Sequence, residues 1–180
     1  KERSLEATNT GNNIVVLVVL CRFRDHMDRE LPSQKYFDEL FNGKKGELNT
    51  VGSIRDWLYF NSVGRYQVTF DVQDWHTLPE DESFYAGGAA GLRGADTMQE
   101  VFKPALDDLY ASGYDFSKLD TRGWGTLDHL VAIHSGYGAE LGNAKPDGCA
   151  NDPLNRIWSQ GVAFTANGWQ SYDYNYQVSS

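Results

Sequence analysis

A chain of 180 residues, 41% of them apolar, is long enough to bury one sizeable core, so residues 1–180 are expected to form a single domain. Its formal charge of -9, from 25 acidic and 16 basic side chains, argues against a sequence-blind grip on phosphate backbones, and no nucleic-acid partner is expected from so acidic a protein. The longest apolar run, Ile14 to Cys21, has the length of a buried strand, so no membrane span is expected either.

Residues 1–12 are polar and charged and read as a flexible N-terminal segment without a hydrophobic signal core. Either the protein is not exported or a leader has been removed. Ile14 to Phe23, IVVLVVLCRF, is a nearly continuous β-branched and leucine run, which suits a strand covered on both faces at the centre of a sheet. Ser33 is placed to cap a short helix carrying Tyr36, Phe37, Leu40 and Phe41, with Gly43 as a left-handed end. Ser53 and Asp56 have capping-box spacing ahead of Ile54, Trp57 and Leu58. Arg65 to Val72 alternates as a second strand.

Thr77 to Gly94, rich in glycine, proline and acid, reads as an irregular surface loop. Met98, Val101, Phe102, Ala105, Leu106 and Leu109 then recur at helical spacing, with Asp96 and Gln99 placed as caps and Pro104 inside. Leu127 to Ile133 is expected as a third strand, Ile157 to Phe164 as a fourth and Tyr172 to Val178 as a fifth. Strands separated by helices give an α/β (α+β) fold with a mixed, mostly parallel five-stranded twisted sheet and backing helices.

Candidate chemistry is sparse. His129 and His134 are five apart on one expected strand, so the two-residue period puts them on opposite faces and they cannot share an ion. His26 and His76 each follow a strand, and a site using them would need tertiary convergence. Asp120 to Val131 overlays a calcium loop at Asp120, Gly125 and Asp128, making Asp120 and Asp128 candidate ligands. Arg122, Trp124 and Val131 stand where oxygen donors belong, so the competing reading is a turn whose aspartates bond backbone amides. Ser135 follows a strand beside a histidine but lacks a G-x-S-x-G setting, which supports a serine nucleophile only weakly. Cys21 and Cys149 allow one bridge or two free thiols.

Several segments in this order carry a resemblance: IVVLVVLCRFRDH, YFDELFNG, GSIRDWLYFNSVGRYQVTFDVQDWHTLP, DFSKLDTRGWGTLDHLVAIHSGYGAE and IWSQ. Together they resemble the immune-inhibitor-A-like secreted zinc metallopeptidases, peptidase family M-six, a metzincin-like group. The resemblance implies a metzincin-like upper subdomain forming the N-terminal part of a catalytic domain, followed by a helix with H-E-x-x-H whose histidines bind zinc and whose glutamate activates water. No H-E-x-x-H occurs in the 180 residues, so that helix is expected beyond Ser180 and no catalytic residue or zinc ligand is carried over.

The implied partners are a peptide or protein substrate and the remainder of the catalytic domain, and the implied location is extracellular. The edge near Ile157, Trp158, Ser159 and Gln160 is the implied substrate strand. On this reading the chain is part of a zinc-dependent endopeptidase, inactive alone, and exposes apolar area where the rest of the domain packs. The alternatives are a non-catalytic extracellular binding or structural module and, more remotely, a small hydrolase using Ser135.

Overall fold

A computed structural model describes residues 12–44, 50–92, 95–120, 125, 127, 129–142 and 152–159, with the backbone alone for 12 and 95–100. Three strands form one parallel sheet: β1 (Asn12–Arg22), β2 (Tyr66–Thr77) and β3 (Leu130–His134), in the order β2-β1-β3. Four α-helices accompany them: α1 (Gln34–Asn42), α2 (Ile54–Asn61), α3 (Glu82–Ala86) and α4 (Ala95–Ala111). The fold is α/β as expected, with three strands rather than five among the described residues. The expected fifth strand, Tyr172 to Val178, lies outside the described residues, as does most of the fourth.

β1 is central because its residues suit two apolar environments at once. Leu17, Val18, Val19, Leu20 and Cys21 are all fully buried. Alternation sends Leu17, Val19 and Cys21 toward α4, where they join Val101, Phe102, Ala105 and Leu106. Val16, Val18 and Leu20 face the other way and meet Phe37 and Phe41 of α1, Ile54 and Leu58 of α2, and Val68, Phe70 and Val72 of β2. The result is three layers, helix-sheet-helix.

Local signals explain most boundaries. The Ser33 hydroxyl accepts from the Tyr36 amide, and Ser53 and Asp56 form both halves of a capping box. Gly43 departs from expectation, leaving α1 in extended conformation (φ -60°, ψ 153°) with its amide bonded to the Glu39 carbonyl. The Thr77–Gly94 segment is also more ordered than its composition suggests, since it contains α3, closed by Gly87 in the left-handed region (φ 58°).

β2 runs five residues further than the expected Val72 because it carries a bulge. Val18 pairs with Val72 and Leu20 with Trp75, so Gln73 and Asp74 together oppose Val19. That extra residue resets the alternation and places Trp75 on the same face as Val72, against Phe37 with ring centroids 5.9 Å apart. The outer edge of β2 is met by α1: the Asn42 side-chain amide donates to the Phe70 carbonyl at 2.7 Å and accepts from the Phe70 amide at 2.9 Å, while Gln34 donates to the Val72 carbonyl at 2.8 Å.

The chain passes from β1 to β2 on one side and then across to β3 on the other, with helices on opposite faces. Crossovers of one hand that advance in opposite directions produce this pattern. A crevice therefore opens at the carboxyl ends of β1 and β3, where the strand order reverses.

Candidate functional site

The residues that follow β1 and β3 build that crevice. After Arg22 the chain turns through a single 3-10 turn, Arg24–His26, and after His134 it turns through Ser135, Gly136 and Tyr137. A cleft of about 680 Å³ lies there, lined by Asp25, Arg29, Phe37, Trp75, Ser135 and Tyr137 among others. Its volume is within the usual range of small-molecule sites. The bulge in β2 is what turns Trp75 toward it, and the Trp75 indole is held by a bond to the Pro32 carbonyl at 2.8 Å.

Behind the cleft lies a buried polar chain assembled from three separate segments. The Ser135 Oγ is 2.9 Å from His26 Nδ1 and accepts from the Phe23 amide at 3.0 Å. In the tautomer that carries its proton on Nε2, Nδ1 accepts the Ser135 hydroxyl proton, whereas the other tautomer donates from Nδ1 to the second lone pair of Oγ. His26 Nε2 lies 3.5 Å from Glu82 Oε2 and 3.8 Å from Asp25 Oδ1. Asp25 in turn accepts from the Glu82 amide at 3.0 Å and so caps α3 from outside, where Asp81 makes no capping bond of its own.

His26 is 3% exposed and Glu82 1%. Burial and the nearby Arg29 charge push the His26 pKa down, so its imidazole is held neutral. Burial pushes the Glu82 carboxyl from 4.5 up to about 7, against the opposing pull of the Ile157 amide and of Arg29 and Arg156. Among the described residues neither Glu82 oxygen makes a hydrogen bond of ordinary geometry, the Ile157 amide and His26 Nε2 being its near polar neighbours. Gly136 packs so tightly on Glu82 Oε1 that an added Cβ would overlap the carboxylate.

The His134 ring packs against Phe23 with centroids 5.6 Å apart. It accepts from the Gly136 amide at Nδ1, and burial pushes it from 6.5 down to about 4. Arg29 spans the cleft mouth, donating to the Ser135 carbonyl at 3.0 Å and lying 5.3 Å over the Tyr137 ring.

The sequence-level candidates fall elsewhere. His129 is exposed ahead of β3, and His76 sits 3.6 Å from Asp108 of α4 on the far face of the sheet. Asp120 accepts from the Gly125 amide at 2.7 Å, the backbone-bonding turn weighed against calcium, while Asp128 lies outside the described residues. Ile157, Trp158 and Ser159 are not in the sheet. Instead the Ile157 carbonyl accepts from Ala139, the Trp158 amide donates to Ala90, and Ser159 bonds Glu140 through both its amide and hydroxyl. Gln160 is outside the described residues. Among the described residues no three His, Cys, Asp or Glu side chains converge as metal ligands, and no helix is long and apolar enough to cross a membrane.

Sequence reasoning placed Ser135 at a strand end but missed its partners. His26 is 109 positions away and Glu82 lies in a stretch read as loop, so no local pattern joins them. The only available signal was topological: residues just after two parallel neighbouring strands share a crevice.

No protein-family profile matches the chain. It is 30% identical over 138 residues, 68% of its length, to Immune inhibitor A of Bacillus thuringiensis subsp. alesti. It is 26% identical over 133 residues, 64% of its length, to the Pre-pro-metalloprotease PrtV of two Vibrio cholerae serotype O1 strains. The chain spans only 19% of the first relative and 14% of the PrtV proteins. Over about two thirds of its length it is thus a region similar to the immune-inhibitor-A-like metallopeptidases.

Proposed function

We propose that the chain is the N-terminal portion of the catalytic domain of a secreted, zinc-dependent endopeptidase, with peptide or protein substrates and the rest of that domain as its partners. The observation that carries this reading is the 30% identity to Immune inhibitor A over 68% of the chain, joined by the relation to a protein named as a metalloprotease. The parallel sheet with helices on both faces is consistent with it.

The described residues do not fit a zinc ion. No three donors converge among them, His26 gives Nδ1 to Ser135, and the Glu82 carboxyl is raised far enough to be partly protonated near pH 7. In this reading peptide-bond hydrolysis depends on zinc ligands outside the described residues. On this reading the chain supplies the sheet, the cleft at the β1 and β3 ends and, beside the sheet, Ile157–Gln160 as a stretch along which an extended substrate lies.

The test compares the 180-residue chain with a longer product of the same coding sequence. The short chain is expected to bind no stoichiometric zinc by elemental analysis and to leave casein intact. The longer product should bind zinc and cleave casein in a chelator-sensitive way. Stoichiometric zinc together with proteolysis by the short chain overturns the proposal. A long continuation without H-E-x-x-H and without proteolysis replaces it with the non-catalytic extracellular module.

A further inference from the structure

We propose that Ser135 is an acylatable nucleophile, with His26 as its general base and Glu82 orienting His26, and that it takes small carboxylic esters from the cleft at the β1 and β3 ends. The inference does not depend on zinc or on the endopeptidase reading. Nucleophile and base are within bonding reach at 2.9 Å, and the base's other nitrogen faces a carboxylate at 3.5 Å, which is the relation a serine-based acyl transfer requires. Ser135 lines the cleft, while His26 and Glu82 stand behind it out of solvent.

A purely structural role for the trio is poorly matched by its energetics. The Phe23 amide is satisfied by the Ser135 hydroxyl alone, yet a histidine and a carboxylate are also buried behind it. Among the described residues the buried Glu82 carboxylate has only loose polar neighbours, His26 Nε2 at 3.5 Å being one, a cost to folding that is more easily retained beside a working site than inside a scaffold. The cleft's aromatic walls, Phe37, Trp75 and Tyr137, suit an apolar acyl group, and Arg29, bonded to the Ser135 carbonyl, adds a cation to the same lining.

The chemistry balances within these residues and water. As the Ser135 Oγ attacks the ester carbonyl carbon, its proton passes to His26 Nδ1, while the Nε2 proton stays directed at Glu82. Collapse of the tetrahedral adduct breaks the ester C–O bond, and the alcohol leaves with the proton from Nδ1. Water then adds to the acyl-serine, giving its proton to Nδ1, and Oγ recovers it as the carboxylic acid departs. The Phe23 amide, already bonded to Oγ, favours the developing alkoxide in each half-reaction.

The test treats the 180-residue chain with a fluorophosphonate probe and maps the adduct by mass spectrometry, alongside p-nitrophenyl butyrate hydrolysis with and without 1,10-phenanthroline. Labelling should fall on Ser135, and ester hydrolysis should be unaffected by the chelator, which separates this activity from a zinc peptidase. Ser135→Ala should abolish both signals, and Glu82→Gln should slow labelling by about tenfold or more while circular dichroism shows a folded chain. Mapping on the unsubstituted protein keeps the test decisive even if Ser135→Ala does not fold. A folded wild-type chain that stays unlabelled, or is labelled elsewhere, overturns the proposal.

Discussion

Glu82 and His134 titrate in opposite senses across the same pH range. Glu82 has its pKa raised from 4.5 to about 7 on folding, so its stabilising contribution is complete below pH 4.5 and is lost as the pH rises toward 7. His134 has its pKa lowered from 6.5 to about 4, so its contribution is complete above 6.5 and is lost as the pH falls toward 4. Between 4.5 and 6.5 the two slopes offset each other, one bound proton against one. Glu82→Gln removes one of them. Urea unfolding at pH 5, 6 and 7 should then show stability rising with pH, with a gain at pH 7 on the order of 2 kcal/mol over wild type. A wild-type profile that rises in parallel with the variant's would show that Glu82 does not carry a proton into the fold. Gly136 gives a second test, because a methyl group there meets the Glu82 carboxylate. Gly136→Ala should cost about 1–3 kcal/mol, and Glu82→Ala in the same chain should recover part of that loss in a double-mutant cycle. Ser135 and Gly136 could be placed at a strand end from the sequence, but Glu82 could not. Its neighbours in the chain are glycine, proline and acid, and only the tertiary approach of α3 makes it a buried group.

Among the elements, β1 was the most legible, since a run apolar at every position has no stable place except between two packed layers. The N-cap of α1 and the capping box of α2 were also readable, because their bonds close within three residues. The length of β2 was not. Alternation breaks at Gln73 and Asp74, and a bulge looks in sequence like the end of a strand until its partner's register is known. The protection of β2's edge was equally hidden, as it depends on two side-chain amides of α1, Gln34 and Asn42. Asn42→Ala leaves the Phe70 amide and carbonyl without that partner and should destabilise the fold by about 1–2 kcal/mol in thermal or urea unfolding. Asn42→Gln, one methylene too long to close the same pair of bonds, should recover little of it. Hydrogen exchange at the Phe70 amide should accelerate in both variants, and unchanged exchange there would show that the edge is covered by something else.

For the whole molecule, the layered α/β plan followed from the order of strand and helix signals, whereas the crevice depended on which strand lies in the middle. Composition cannot supply that. Cys21 offers a direct measure of how the layers hold together, because it lies at 0% exposure in the central strand and burial pushes its thiol up to about 12. In a Cys149→Ser background, alkylation of native protein should be slower than that of urea-unfolded protein by a factor close to the folding equilibrium constant, about 10³ or more for an ordinary domain. Rapid modification of the native chain would mean that the sheet opens locally.

All the sheet pairing described here is parallel and joins segments distant in the chain, Val16 with Phe70 and Leu20 with Ile133. Such contacts bring their reward only after long loops have closed, so assembly should be slow relative to a helical protein of this size. During synthesis β1, the most apolar stretch, emerges ahead of both its strand partners and stays unpaired until more than forty further residues have followed. A chaperone that binds extended aliphatic segments therefore has its best target at Ile14 to Cys21, in the nascent chain rather than in the finished protein.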